Sequence, residues 1–288
     1  MIPAAFDYVR PTTLPAAIAA LKQYGAVAKV LAGGHSLLPM MKLRFATPDV
    51  LIDVNELSEL KGISVSEGEV AIGAATTHAT LEHHGQIAAV LPLITLMAPL
   101  IADATVRNRG TLGGAIVHSD PTADWPAAML ALDAVFDLAG PDGERSIAAE
   151  DFFKGLFETD LGPEEVLVRV RIPLQKGARV SYRKFRHPAS GYAVVGVAVV
   201  LHMKGECCIG GRIAVTGFAD HAFRAKAAEA MLAGYDGQPQ HSDRIVEQAF
   251  EEVVPLEDRF ADAEYRLQLG RTMLRRALAD AAPVHSRD

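Results

Sequence analysis

The chain has 288 residues, of which half are hydrophobic and 22% charged, the balance of a soluble globular protein rather than a disordered or fibrous one. Its formal net charge is −7, no basic cluster marks a nucleic-acid surface, and no apolar run reaches the roughly 20 residues of a membrane span. The opening "MIPAAFDYVRP" lacks the basic-then-apolar order of a secretory signal.

Taken in order, Thr12 or Thr13 caps a helix through "LPAAIAALKQYG", and Gly25 stops it. "AVAKVLAGG" predicts a buried strand ending in glycines, and "DVLIDV" a second short strand. "LKGISVSEGEVAIGAATT" holds two alternating runs around Glu67–Gly68, a hairpin pattern. From about Thr80 to Ala102 the chain is expected to be helical, with breaks at Gly85, Pro92 and Pro99. A glycine-rich stretch follows, "RNRGTLGGAIVHSDPTAD", and then a helix over "WPAAMLALDAVFDLAG". "EEVLVRVRIP" alternates as a strand. The polar residues Gln175–Ala178 mark a domain boundary. "VSYRKFR", "YAVVGVAVVL" and "GGRIAVTGFAD" predict three strands, and "RAKAAEAMLAG", "DRIVEQAFEEV" and "AEYRLQLGRTMLRRALADA" three helices, a small α+β domain.

Cys207 and Cys208 are the only cysteines and are adjacent. They read as small residues in a strand, are too few for an iron–sulfur cluster with four cysteine ligands, and favour a cytoplasmic location.

Two stretches carry chemistry. In "LAGGHSLLPMMK", Gly33 and Gly34 follow a strand. Paired glycines let the backbone approach a ligand, and successive N–H groups can form a nest for a pyrophosphate, with Ser36 adding a hydroxyl. The second stretch repeats the recipe with Thr111, Gly113 and Gly114. Neither is a dinucleotide fingerprint of the G-x-G-x-x-G kind or a P-loop. Asp120 and Asp124 come next. Each could accept a ribose hydroxyl; otherwise Asp120 starts a turn before Pro121, and Asp124 caps the helix from Trp125 and Pro126.

"LAGGHSLLPMMKLRFATPDVLIDV" together with "VRNRGTLGGAIVHSDPTADWPA" resembles the FAD-binding medium subunit of the molybdenum hydroxylases, the family of carbon monoxide dehydrogenase, aldehyde oxidoreductase and xanthine dehydrogenase. "GPEEVLVRVRIP", "SYRKFR" and "DAEYRLQLGRTMLRRAL" extend the likeness over nearly the whole chain. The resemblance implies an α+β fold: an FAD-binding domain of the p-cresol methylhydroxylase type over 1–176, in two α+β subdomains (about 1–56 and 57–176), then a C-terminal α+β domain over 177–288 with a three-stranded sheet and helices. It implies non-covalent FAD, a small partner subunit with two [2Fe–2S] clusters, a large partner subunit with the molybdenum cofactor, and a dimer of heterotrimers. Electrons would pass through the clusters to FAD and on to an external acceptor. A quinone acceptor would bring the complex to a membrane surface; a cytochrome, oxygen or NAD are the alternatives, and no nicotinamide fingerprint is visible.

By the same resemblance, Ala32, Gly33, Gly34, His35, Ser36 and Leu37 form the first FAD loop, and Thr111, Leu112, Gly113, Gly114 and Ala115 the second. Asp124 matches an acidic residue facing the nucleotide. Ile101 and Leu161 match apolar contacts along the flavin, Lys184 a basic residue near the ring, and Tyr192 a residue against the isoalloxazine. Ala115 departs from the pattern, since many relatives have Asn there. Berberine-bridge-type oxidases share a Gly-Gly-His-Ser loop and attach flavin through its histidine, so a stand-alone oxidase with FAD bonded to His35 is the alternative. His118 either touches the cofactor or packs its loop. Arg107 and Arg109 either neutralise pyrophosphate or pair with acidic neighbours.

Overall fold

The computed structural model describes residues 1–282. The first segment comprises β1 (Asp7–Val9), α1 (Leu14–Tyr24), β2 (Ala28–Leu31), α2 (Leu37–Lys42) and β3 (Val50–Asp53). The strands form a parallel sheet in the order β1-β3-β2. Thr13 caps α1, its Oγ1 accepting the Ala16 N–H at 3.3 Å, and Gly25 leaves the helix at φ 57°. Leu14, Ala17 and Leu21 of α1 pack on Val50 and Ile52. The expectation that β2 is buried is corrected: only Ala28 is, because β2 is an edge strand with Lys29 outward. Both β2 and β3 end at the same rim of this sheet. In parallel α/β layers, ligands gather at the carboxyl rim of the strands.

The second segment opens with the expected hairpin, β4 (Ile63–Val65) and β5 (Glu69–Gly73). Short helices follow, α3 (His78–His83), α4 (Gly85–Val90) and α5 (Pro92–Met97), then a 3-10 turn at Ala98–Leu100 and α6 (Ala104–Arg107). They break where the glycine and the prolines were expected to break them. Next come α7 (Leu112–His118) and α8 (Asp124–Ala131). The helix expected from Trp125 to Gly140 ends at Ala131, and Val135–Gly140 is instead β6. The reason is period: Phe136 and Leu138 alternate inward as a strand requires. The remainder is β7 (Gly143–Ala148), α9 (Ala149–Phe152), the small hairpin β8 (Phe153–Gly155) and β9 (Glu158–Thr159), and β10 (Val166–Pro173). An antiparallel sheet runs β4-β5-β10-β6-β7. Under it Phe136, Phe152 and Phe153 meet edge to face, a geometry that suits aromatic quadrupoles.

The third segment holds β11 (Arg179–Arg186), β12 (Ala193–Lys204), β13 (Cys207–Thr216), β14 (Phe223–Arg224), α10 (Lys226–Glu229), α11 (Pro239–Gln248) and α12 (Ala263–Ala281). The expected three-stranded sheet has four strands, because Phe223 and Arg224 pair with Val215 and Ala214. A two-residue strand leaves no alternation to read. The same pairing removes Arg224 from the helix expected there, which shrinks to four residues. β12 is a continuous apolar run because both faces are covered. Ala198 and Val200 join the core around α8, while Val197, Val199 and Leu201 face Leu274 and Leu278 of α12. Arg266 of α12 is 1% exposed, and its guanidinium donates to the carbonyls of Leu256, Val194 and Gly217 and to Asp258. Cys207 is exposed and Cys208 buried at the start of β13, as two strand residues should be. Among the described residues, no helix is long and apolar enough to cross a membrane.

Candidate functional site

The first glycine loop leaves the end of β2 with its backbone polar groups open. Among the hydrogen bonds of the described residues, none is donated by the backbone N–H of Gly33, Gly34, His35, Ser36 or Leu37. Gly34 is left-handed at φ 76°, which turns neighbouring amides toward one another. The loop is held from behind. The Asn55 Nδ2 donates to Ala32 O at 2.9 Å and to Asp53 Oδ1 at 2.7 Å, and the Tyr8 hydroxyl donates to Asp53 Oδ2. Burial pushes the Asp53 carboxyl up, but hydrogen bonds from Tyr8 and Asn55 outweigh it and hold it below the usual carboxylate range. Asn55→Ala is therefore expected to cost about 1–2 kcal/mol of stability and to weaken nucleotide binding, both read from urea unfolding with and without FAD.

The second loop is pressed against the first. A Cβ on Gly33 would collide with Arg109 O and stand 2.8 Å from Gly110 Cα. From the other side the segment after β5 supports it: His78 N–H donates to Gly110 O at 3.0 Å, Leu112 N–H to Thr76 O at 2.9 Å, and Gly113 N–H to Ala74 O at 2.8 Å. A Cβ on Gly113 would lie 2.5 Å from Ala74 Cβ. The expected nest of amides is corrected here. Thr111 caps α7, its Oγ1 accepting the Gly114 N–H at 3.1 Å, and Ala115 N–H donates to Thr111 O at 3.1 Å. With Gly113 and Gly114 inside a helical turn, this loop contributes close approach and leaves only the Thr111 N–H without an acceptor among the described residues. Ala115 likewise has no free N–H, and its methyl packs partly against the core.

The acidic residues divide. Asp120 makes the turn, its Oδ1 accepting Thr122 N–H at 2.8 Å and Thr122 Oγ1–H at 2.6 Å. Asp124 does not cap α8; Ala123 holds that position, and Asp124 is the first helical residue. Its carboxylate turns inward at 4% exposure, accepting from Lys184 Nζ at 2.8 Å and from the Tyr182 hydroxyl. Burial pushes the Asp124 carboxyl up and the Lys184 ammonium down, and their mutual attraction opposes both shifts. Lys184 is thus a buried, paired cation.

Three cations hold successive carbonyls of one turn. Lys184 Nζ donates to Leu100 O at 3.1 Å, an Arg107 NH group to Ile101 O at 3.0 Å, and an Arg186 NH group to Ala102 O at 2.8 Å. Ala102 is left-handed at φ 43°, so the clamp fixes a strained turn that carries Ile101. Arg107 also meets Glu82 at 2.8 Å, which is the acidic-neighbour arrangement. Arg109 is exposed and has no ion pair among the described residues.

Tyr192 stands 39% exposed before β12, outside the core, with its hydroxyl facing Ser36. Burial and the Asp120 charge push that hydroxyl up. His35 is exposed, its Nδ1 3.0 Å from Gly33 O. His118 stacks on Phe157 at 5.1 Å, so it packs its loop. Ile101 and Leu161 rest against the same core cluster, but Leu161 has no hydrogen bond to either glycine loop. The structure therefore gathers Ala32–Ser36, Gly110–Gly114 and Tyr192 in one place, and Asp124, Lys184 and Ile101 in a second.

Sequence reading missed Asn55, His78, Tyr182 and Arg186. The only local signal was "DVN" at a strand end. His78 is buried at 4% exposure, with Nδ1 accepting the Trp125 indole N–H at 3.0 Å. Burial, with smaller contributions from His35 and Arg107, lowers its pKa to about 4. The folded value lies below the ordinary 6.5, so this neutral ring stabilises the fold fully above pH 6.5, and the gain is lost as pH falls toward 4. Unfolding free energies from urea titrations at pH 7 and pH 4.5 should differ by about 2 kcal/mol on this account, and His78→Asn should lose that part of the dependence.

Residues 4–175 match the model for the FAD binding domain in molybdopterin dehydrogenase, and residues 180–281 that for the CO dehydrogenase flavoprotein C-terminal domain. The chain is 41% identical over 279 residues to the carbon monoxide dehydrogenase medium chain of Hydrogenophaga pseudoflava, covering 96% of this chain and 97% of the other. It is 33% identical to the glyceraldehyde dehydrogenase medium chain of Sulfolobus acidocaldarius, covering 98% and 100%. A solved carbon monoxide dehydrogenase structure from Hydrogenophaga pseudoflava superimposes with a TM-score of 0.95 at 43% identity, covering 98% of each chain. The chain belongs to this family: it is an FAD-binding medium subunit of the carbon monoxide dehydrogenase type of molybdenum hydroxylase, and so an oxidoreductase subunit. The residues present fit FAD. Five successive open amides suit a pyrophosphate, and the cradle closes where a Cβ on Gly33 would block it. Thr76 Oγ1, buried and without a partner among the described residues, lies on the supporting segment.

Proposed function

We propose that this chain is the electron-transfer subunit of a heterotrimeric molybdenum hydroxylase, holding FAD without a covalent bond. In that assembly it takes electrons from [2Fe–2S] clusters of a small partner subunit and delivers them to an external acceptor, while a large subunit with the molybdenum cofactor oxidises the substrate. The row of open amides from Gly33 to Leu37 carries the reading. Bound there, FAD supplies a centre that exchanges electrons singly or in pairs. The chain's own residues do the rest. The first-loop amides and Ser36 bind the pyrophosphate, and Gly33 and Gly110 let the two loops close on it. The carbonyl clamp of Lys184, Arg107 and Arg186 would hold the turn that offers Ile101 as an apolar contact for the flavin, and Tyr192, beside Ser36, would offer it an aromatic face. Asp124 acts through Lys184. The identity to carbon monoxide dehydrogenase medium chains supports carbon monoxide as substrate of the whole complex.

Acid denaturation of the purified, FAD-loaded chain tests the attachment. Yellow colour released into the supernatant is the expected result. Colour in the pellet would mean a bond to the protein, with exposed His35 the first residue to map, and would replace this reading with that of an oxidase. A chain that takes up no flavin, alone or with its iron–sulfur partner, would leave a nucleotide-binding or assembly role.

A further inference from the structure

We propose that His78 is a positioning residue of the cradle and donates its Nε2–H to a phosphate oxygen of the bound dinucleotide. The inference rests on the FAD reading above and adds a donor to it. Because Nδ1 accepts the Trp125 N–H at 3.0 Å, the neutral ring carries its proton on Nε2. Trp125 is the only tryptophan of the chain and is 1% exposed, so the tautomer is fixed by a partner that cannot turn away.

The Nε2 nitrogen sits at the loop junction, 2.7 Å from where a Gly110 Cβ would stand. Gly110 is in turn the residue that Gly33 closes upon. No hydrogen bond of the described residues is donated by His78 Nε2. The ring as a whole is only 4% exposed, so the loop junction is where this unpaired nitrogen must find its acceptor. A fixed donor that is unpaired and stands at the junction of the two glycine loops is placed for an anionic oxygen held between them. Burial keeps the ring neutral, so it offers a directed hydrogen bond rather than a charge that would also attract other anions.

The test uses the full chain freed of flavin, titrated with FAD and with ADP, which has the phosphates but no ring system. In His78→Asn the side-chain oxygen stands in for Nδ1 and still accepts from Trp125, while the Nε2 donor is gone. Affinity for FAD and ADP should fall by the same factor, about tenfold or more, with Trp125 emission unchanged. His78→Gln, which returns an N–H at the outer position, should recover most of the loss. Wild-type affinity in His78→Asn overturns the proposal. A loss for FAD but not for ADP also overturns it, since the donor would then serve the ring system. Failure of the wild-type chain to bind either ligand would instead sink the FAD reading itself. A measurement on the unaltered chain stands apart from folding defects. With 15N-histidine, the Nε2–H signal of His78 should shift downfield and exchange more slowly when ADP is added; an unmoved signal refutes the donor.

Discussion

Gly33→Ala is expected to abolish FAD binding, with at least a hundredfold loss of affinity, in a chain that remains folded. Nothing about the backbone angle at Gly33 demands glycine; the space does. A methyl there meets Arg109 O and lies 2.8 Å from Gly110 Cα, and both are backbone atoms that cannot rotate aside. The loops must part by about 1 Å, which spoils several hydrogen bonds to one pyrophosphate together, because such bonds weaken steeply with distance. The sheets beneath the loop do not depend on that contact, so thermal unfolding without flavin should change little. Gly85→Ala is the control: its added methyl meets nothing within 4 Å and improves a helical position, so binding and stability should both hold. Fluorescence titration with FAD, paired with thermal melts, checks both. Full binding by Gly33→Ala would show that the loops do not close on the ligand as a pair.

The second large effect is expected at Asp124. Asp124→Ala leaves the Lys184 ammonium buried without its counter-charge and the Tyr182 hydroxyl without its acceptor. Breaking such a pair from one side costs about 3–5 kcal/mol, whereas replacing both partners with apolar groups costs far less. The expected order of stability in urea is therefore wild type, then Asp124→Leu with Lys184→Met, then Asp124→Ala alone. The loss should also reach the cofactor. Lys184 released from Asp124 no longer holds Leu100 O, and the strained turn at Ala102 loses one of its three cations. FAD affinity should fall in Asp124→Ala even at temperatures where the chain is folded. A single substitution that matched the double variant in stability would show that the pair is solvated in solution.

Much of this architecture was legible along the chain. The cap at Thr13 and the stop at Gly25, the hairpin at Glu67–Gly68 and the 19-residue helix from Ala263 all come from neighbours in sequence, where local propensity decides. The short segments were not. β14 exists only because β13 offers it an edge, and β6 won over a helix because Phe136 and Leu138 found the aromatic core. The two glycine stretches could be picked out as backbone devices, but their roles differ in a way composition cannot encode.

Read along the chain alone, the residues show a glycine pair after a strand, two cysteines where a four-cysteine iron–sulfur cluster needs four, and a likeness to the FAD-binding medium subunits. Which amides remain open depends on how the folded segments meet. The N–H groups of Gly113 and Gly114 are taken by Ala74 O and Thr111 Oγ1, while those from Gly33 to Leu37 have no such neighbours. The tertiary structure also decided that Asp124 turns inward to Lys184, 60 residues away, and that His78 is locked by Trp125, 47 residues away. The physical reason is common to all three. A buried polar group must find a partner, and which partner is near depends on how distant segments pack, not on the residues beside it in the chain.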